Sequence, residues 1–468
     1  MGTLISVLNI SREALAAEQS AVNVTANNVA NQNTPGYTRE VPNFVAQDTY
    51  LLNGLNIGDG VQIAATTSVR DRVLEQRVQQ QTQIQSQSAT IQSALSDVES
   101  IFGVTSTTTS SSVTQLGTAV NAFFSSLTAL AANPSDGPTR QQVLSTASTL
   151  SSTFNAESSQ ISQITSSLEG SALNIVGQAN TLLSTIASLN AKIATQSPNA
   201  DAGVLEDQRQ EAIAQLSQYI GLDQIATSNN EIDITTSNGG VLVSGPNSYP
   251  LSASILGGTV TVLAGPNNTN VTSGLTGGSL GGTLQALTTS IPPLLGQLDT
   301  LAYSIATAVN TQNEAGVDAN GNPGAALFTI GTTAPGSAAT IAAATTNGSL
   351  VATAAAGEGS SGNTNASALA ALGTALIAGG QTASSYLAST LATIGEAATT
   401  ANNDSTLQQA TLTQLTTQRD ALSGVSLDDE AADLSQYQRS YQAASQLFSI
   451  IDTLFASALN LGVETTVQ

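Results

Sequence analysis

The amino-acid sequence predicts a mainly α fold with a β insertion. The expected shape is an elongated multi-domain rod whose N- and C-terminal helices pair as a coiled coil, with a helical-bundle middle domain and a small outer β domain. Three patterns carry that expectation. Apolar residues alternate at threes and fours at both extreme ends of the chain, the pattern of a coiled-coil seam. A seven-residue apolar row runs unbroken through the middle. Between residues 229 and 282 the period changes to two and hairpin-type turns enter. The division is then 1–65 with 424–468 for the terminal coiled coil and its N-terminal arm, 66–228 with 283–423 for the helical bundle, and 229–282 for the β domain.

At the N-terminus Val7, Ile10, Ala14, Ala17, Ala21 and Val24 form a narrow seam, and Leu8, Leu15, Val22 and Val29 form a second row beside it. Together they make an apolar arc too wide for one partner helix. At the other end Leu434, Tyr437, Tyr441, Ala444, Phe448, Ile451, Phe455 and Ala458 repeat the alternation, with Leu447, Leu454 and Leu461 as the second row. Ser426 reads as the N-cap, and Asp428, Asp429 and Glu430 put negative charge at the positive end of the helix dipole. Two helices of one monomeric core would show the same rows, but such helices normally lie inside a chain rather than at both fraying ends. End-pairing followed by polymerisation is the sharper expectation, with these rows as the assembly surface.

Asn27, Asn28 and Asn31 lie at the end of the first helix. Asn23, Asn27 and Asn31 share one face, where amides either fix register in a seam or mark a fraying end. Thr34-Pro35-Gly36-Tyr37 reads as a type II turn that closes the N-terminal assembly region. Residues 37–63 read as an extended arm or small strands. From Thr67 a helix returns, with Ile84, Ile91 and Val98 interleaved with Leu95 and Phe102, up to a Ser/Thr-rich break at 105–112. Leu116, Val120, Phe124 and Leu127 mark a shorter helix, and Asn133 to Pro138 a turn.

Phe154, Ile161, Leu168, Ile175, Leu182 and Leu189 then fall on every seventh residue, which implies a long left-handed supercoiling helix from Thr139 to Gln196, weakened locally at Gly170 and Gly177. Leu205, Ile213, Leu216 and Ile220 give another helix, with Gly221 expected as its C′ glycine. Ile232 and Ile234, the turn Asn238-Gly239-Gly240, and the runs 241–243 and 259–262 make the β insertion. Leu284 to Ile305 resumes a helix that Pro292-Pro293 must kink or restart. Residues 314–362 read as turns, short strands and some disorder. A last long helix carries Leu387, Leu391, Ile394, Ala398, Ala401, Leu412, Leu415 and Leu422 and stops at Gly424.

Composition narrows the function. With 3% aromatic residues the chain suits a long thin seam better than a thick core. A net charge of −22, with Lys192 the only lysine, argues against binding nucleic acid or anionic lipid. The absence of Cys and His removes thiolate and imidazole chemistry and structural zinc. The first residues do not read as a Sec-type signal, since Asn9, Ser11, Arg12 and Glu13 break up their apolar run, and no membrane-spanning segment is expected. Asp318-Ala319-Asn320-Gly321-Asn322 resembles the start of a calcium loop, but Pro323 and Thr329 stand where Gly and Glu are required, so an Asx turn is expected. Asp428, Asp429 and Glu430 are placed for capping rather than acid–base work, and Arg209, Arg419 and Arg439 read as surface ion pairs. Gly277-Gly278 and Gly281-Gly282 lack the context of a phosphate loop. No active site, metal site or cofactor is expected.

The run Asn27-Asn28-Val29-Ala30-Asn31-Gln32-Asn33-Thr34-Pro35-Gly36-Tyr37-Thr38-Arg39 resembles the N-terminal signature of axial proteins of the bacterial flagellum. Gly424 to Leu434, followed by Tyr437-Gln438 and Tyr441-Gln442-Ala443-Ala444, is similar to the hook-associated protein 1 family, the hook-filament junction proteins. Asn133-Pro134-Ser135-Asp136 with Arg140, Leu189-Asn190, Asp207-Gln208-Arg209 and the Gly316 to Phe328 turn region resemble that family in the same order. Gly203-Val204-Leu205-Glu206 departs from the family's usual Asn/Asp-Leu-Leu run.

The resemblance implies a structural adapter, not an enzyme. It would be met by an export chaperone, exported unfolded by the flagellar type III export apparatus, and ordered outside the cell as a homo-oligomer ring in the flagellar axis. Hook protein would lie beneath it and the second junction protein above. Competing readings are another axial protein, such as the second junction protein or a flagellin, and a secreted surface adhesin, which would not need matching helices at both ends.

Overall fold

The computed structural model describes residues 2–52, 55–103, 114–198, 200–359 and 361–464, with the side chains of 459–464 among those left undescribed. The Ser/Thr break at 105–112 and the side chain of Leu461 lie outside the described residues. The fold is mainly α with small antiparallel sheets. Helix α1 (Gly2–Asn31) leads through the turn at 34–37 into a double hairpin. Strand β1 (Glu40–Ala46) pairs with β4 (Val61–Ser68), and β2 (Thr49–Leu52) pairs with β3 (Leu55–Gly58) between them. Of the two expectations for this arm, the strands form. Gly36 takes φ +76°, and the Tyr37 amide donates to the Thr34 carbonyl at 3.2 Å, as a type II turn requires.

Helix α2 (Arg72–Ile101) is capped by Asp71, whose carboxylate accepts from the amides of Val73 and Leu74. Val98, Leu95 and Phe102 are buried and Ile91 half-buried, but Ile84 is exposed, so the expected seam does not extend that far. In its place α2 carries glutamines that reach its neighbours in every direction. Gln79 bonds Gln210 and Gln224, Gln81 bonds Gln408, and Gln87 bonds Gln285.

Helix α3 (Gln115–Ala132) buries Leu116, Val120, Phe124 and Leu127 as its spacing predicts. Helix α4 (Gly137–Gln196), about 90 Å long at 1.5 Å per residue, starts on Asp136 with Pro138 in its first turn. Its buried face does not follow the single seven-residue row. Val143, Ala147, Leu150, Phe154, Glu157 and Ile161 are buried, then Ala172, Val176, Ala179, Leu183, Ile186, Asn190 and Ile193, and the second run is one residue out of frame with the first. Leu168, Ile175 and Leu182 are only half-buried. An α-helix has 3.6 residues per turn rather than 3.5, so a strict seven-residue row drifts off any straight face. Here the drift is used: the first half of α4 belongs to one apolar core with α3, and the second half to another with α5 (Val204–Tyr219).

Above α5 stand a four-stranded sheet in sequential order, β5 (Asp223–Ala226), β6 (Ile232–Thr235), β7 (Val241–Ser244) and β8 (Asn247–Ser248), and a three-stranded one with β10 (Thr259–Ala264) between β9 (Ser252–Leu256) and β11 (Thr269–Asn270). Their inward residues, Ile234, Leu242, Val243, Val260 and Val262, share the core of the second half of α4. Gly221 does not serve as a left-handed C′ residue, since its φ is not positive. A Cβ there would overlap the carbonyl oxygen of Thr276, so the requirement is close backbone approach. Gly221→Ala is expected to cost on the order of 3 kcal/mol, read as a shift in urea midpoint, because the obstacle is backbone and not a movable side chain.

Helix α6 (Gly278–Gln285) continues through a π-helical turn at Ala286–Ser290 into α7 (Ile291–Glu314), so the widened turn falls immediately before Pro292 and Pro293, whose missing amides interrupt the helical hydrogen-bond ladder there. The stretch 314–362 is not disordered among its described residues. Leu327, Phe328, Ile341, Val351 and Ala352 are fully or almost fully buried around β12 (Phe328–Thr329), α8 (Ser337–Thr340) and β13 (Ala342–Ala343). Small residues let this chain pack without a period. Asp318 accepts from the amides of Asn320 and Asn322, the expected Asx turn. Helix α9 (Thr364–Ala371) and α10 (Ala383–Ser423) come next. Ala398 and Ala401 of α10 are buried but Leu422 is exposed, and α11 (Leu427–Glu464) returns along α1.

Candidate functional site

The terminal helices meet as predicted. Ala17 and Ala21 of α1 and Ile451 of α11 are buried between them, and Ile10, Ala14, Leu15, Val24, Leu434, Tyr437, Phe448 and Phe455 are half-buried. Small residues on α1 let the larger α11 side chains approach its backbone. Val7 and Tyr441, assigned to the seam by spacing, are exposed. So are Leu447 (46%), Ile450 (59%) and Leu454 (53%), which leaves α11 with an apolar stripe that no part of the chain covers among the described residues. The β hairpin braces the pair, with the Phe44 ring 6.0 Å from that of Tyr437.

The pair is fastened to the body by a polar clasp around Asn28. Its amide donates to the Glu40 carbonyl at 2.8 Å and to Glu430 Oε2 at 3.0 Å, and its Oδ1 accepts from the Tyr37 hydroxyl at 2.8 Å and the Glu40 amide at 3.0 Å. All four of its bonding positions are therefore filled. Asn27 and Asn31 are not buried: they bond each other, and Asn27 also donates to the Tyr37 hydroxyl. The buried, fully bonded amide is thus Asn28, off the face that Asn23, Asn27 and Asn31 share. Pro35 is exposed at the turn and Gly36 lies over the Glu211 side chain.

Arg39 crosses from the arm to α11, with Nε 2.6 Å from Glu430 Oε1 and Nη2 2.9 Å from Asp433 Oδ2, while its amide donates to Ser423 at the end of α10. The hydrogen bond to Glu430 raises the Arg39 pKa further. Glu430 is 1% exposed. It is a buried ion-pair partner and not one more capping carboxylate. Ser426 does cap α11, accepting from the Asp429 amide at 3.4 Å.

A second layer ties the arm to α5. Asp207 accepts from the Thr38 amide at 3.0 Å and from Arg70, and Arg70 also reaches Glu206 at 2.7 Å and Glu75 at 3.3 Å. Burial raises the pKa values of Asp207, Glu75 and Glu40, and burial followed by the neighbouring carboxylates raises that of Tyr37. Arg209 is not a surface ion pair. It is buried, donates to Asn190 Oδ1 and the Asn230 carbonyl, and is lowered to about 10 by desolvation. Arg419 does pair with Asp420 at the surface, and Arg439 makes no ion pair among the described residues. Sequence reasoning missed Arg70 entirely. The signal was available in the arginines, scarce in this chain, that flank the arm on both sides, Arg39 before it and Arg70 and Arg72 after it.

A groove of about 390 Å³ lies under the turn, walled by Tyr37, Glu75, Gln79, Glu211 and Asp420. Arg70 holds Glu75, Gln215 holds Glu211 and Arg419 holds Asp420, so the carboxylates are engaged in the fold. No helix among the described residues is long and apolar enough to cross a membrane.

Residues 95–328, half of the chain, match the family model for the helical domain of flagellar hook-associated protein FlgK. Residues 8–38 match that of the flagella basal body rod protein, and residues 418–461 the C-terminal model of the basal body rod FlgEFG proteins. Flagellar hook-associated protein 1 of Bacillus subtilis (strain 168) is 28% identical over 504 residues, covering 97% of each chain. That of Escherichia coli (strain K12) is 29% identical over 342 residues, a match that spans 70% of this chain and 60% of its relative. A solved structure of the flagellar hook junction protein FlgK from Burkholderia pseudomallei shares the fold, with a TM-score of 0.67 at 20% identity over 74% of this chain and all of that one.

Proposed function

The chain belongs to the flagellar hook-associated protein FlgK family, and on that premise we propose that it is the structural adapter at the junction of hook and filament, without catalytic activity. The observation that carries this reading is the uncovered stripe Leu447, Ile450 and Leu454 on a terminal helix whose other side is already paired. Such a face finds its partner in a neighbouring subunit, so the ends polymerise while the body does not. Residues 1–65 and 424–468 then form the axial part, 66–228 and 283–423 the helical body, and 229–282 the outer β domain. Its neighbours are further copies in a ring, the hook protein and the second junction protein. The chain reaches its extracellular place in the flagellum through the type III export apparatus with a chaperone. The family model matches at both ends support placement among axial proteins.

Deleting the gene should leave bare hooks and release flagellin monomers into the medium, seen by electron microscopy and by assay of the medium. Normal filaments on the mutant's hooks would overturn the proposal. Leu447→Asp should abolish filament attachment with no change in the melting of the helical body, because the side chain is exposed and the body is remote from it. Phe448, half-buried toward α1, is the less clean site, since Asp there disturbs the pair itself.

A further inference from the structure

The arm is joined to the body by charge rather than by apolar packing. Among the described residues, neither apolar core contains a member of α1, the arm or α11. The chain crosses between the terminal unit and the body twice, at 69–71 and at 424–426. Beside the first crossing lies a layer of carboxylates drawn from every element that meets there. Glu40 comes from β1, Glu75 from the first turn of α2, Asp201 from the loop before α5, and Glu206 and Asp207 from the first turn of α5. Arg70, its side chain only 4% exposed, reaches Glu75, Glu206 and Asp207, while Arg72 stands at the exposed rim, 3.6 Å from Glu206.

The carboxylates outnumber the cations, and two of them are left short. Glu40 Oε1 lies over Gly203, and its carboxylate accepts no hydrogen bond among the described residues. Glu75 Oε2 is buried without a partner, and so is Arg70 Nε, which stands 3.3 Å from the other Glu75 oxygen without a hydrogen bond to it. The charges that face Glu40 are those of Asp207 and Asp201, both negative. Those that face Glu75 are Arg70, Asp207, Arg419 of α10 and Arg72. Asp207 faces Arg70 and the Thr38 amide, and Arg209 stands behind Glu206.

Burial raises the pKa values of Glu40, Glu75 and Asp207, and the neighbouring carboxylates add to the rise at Glu40. A carboxyl raised on docking stabilises the docked arm fully below its ordinary value, and that contribution is lost as pH climbs through the docked one. Asp201 runs the other way. Although buried, it is held low by the amides of Ser68 and Gly203, so its contribution is complete above the ordinary carboxylate range. Tyr37, raised by burial and by Glu40, Asp207 and Glu430, stays neutral throughout.

We propose that this layer is a proton-operated latch: in mildly acidic medium Glu40 and Glu75 take up protons and the arm is held against α2 and α5, whereas toward alkaline pH the joint slackens and the terminal pair swings on the helical body. The two crossings are then the hinge, and the polar layer is the part of the fold that opens at least cost.

The test is hydrogen exchange, read by mass spectrometry on the full-length chain at about pH 5 and about pH 8. Each rate is divided by that of the same peptide in the urea-unfolded chain at the same pH, which removes the intrinsic dependence of exchange on pH. Peptides carrying the amides of Thr38 and Ser68, which donate to Asp207 and Asp201, should lose protection severalfold at the higher pH, while α3 stays protected at both. Glu40→Gln and Glu75→Gln, which keep a neutral group in place, should each flatten that loss. Arm protection that is absent or equal at the two pH values in the unsubstituted chain would overturn the latch, as would a full loss retained in both variants. Should Glu40→Gln also lose protection in α3, its body has unfolded, and Glu75→Gln decides between the same two outcomes.

Discussion

Replacing Arg39 by Ala is expected to destabilise the docking of the terminal helices by about 3 kcal/mol. The reason is the charge that the substitution strands. Glu430 is buried, and its two oxygens are held by Arg39 at 2.6 Å and by Asn28 at 3.0 Å. Without the guanidinium the carboxylate keeps one neutral donor, and a buried charge that loses its partner costs more than the pair contributed. Asp433, more exposed, can turn to water and adds little. Arg39→Lys should recover only part of the loss, because one ammonium cannot reproduce a fork that spans two carboxylates. Asn28→Ala should cost about 1 to 3 kcal/mol by stranding the Glu40 amide and the Tyr37 hydroxyl. The measurement is amide hydrogen exchange along the first turns of α11. Faster exchange there, with α3 and α4 unchanged, is the expected outcome, and unchanged protection in α11 would show that the clasp does not hold the pair.

How legible each feature is in the sequence depends on how it is encoded. Pairing of the ends is legible because a seam repeats its period, and Ala17, Ala21 and Ile451 are where that period puts them. The clasp is half legible. Asn28, Tyr37 and Arg39 stand in a recognisable run, but Glu430 looks like a capping residue, since position in a helix does not reveal a partner hundreds of residues away. The core at 314–362 is hidden for another reason: Ala, Gly and Thr pack closely without any helical or strand period to announce it. The same limit misplaces the buried face of α4, where the apolar letters keep a seven-residue row while the surroundings change from one core to the other.

Glu157 is the clearest case of a residue whose letter misleads, and replacing it by Gln should stabilise the helical body in a pH-dependent way. It occupies a core position in the run Leu150, Phe154, Glu157, Ile161, is 5% exposed, and has an oxygen with no hydrogen-bond partner. Burial alone, with no charged neighbour contributing, pushes its pKa up from 4.5 to about 8. A carboxyl raised on folding favours the native state while it is protonated, so its contribution is complete below about pH 4.5 and is lost as pH rises toward 8. Glu157→Gln removes the charge but keeps the shape. The variant should therefore gain under about 1 kcal/mol at pH 5 and about 4 kcal/mol at pH 8 over the native chain. Urea unfolding of both chains at the two pH values reads the difference directly. A gain equal at both would mean that packing and not ionisation is responsible, and no gain at pH 8 would mean that the carboxylate is solvated in the folded chain.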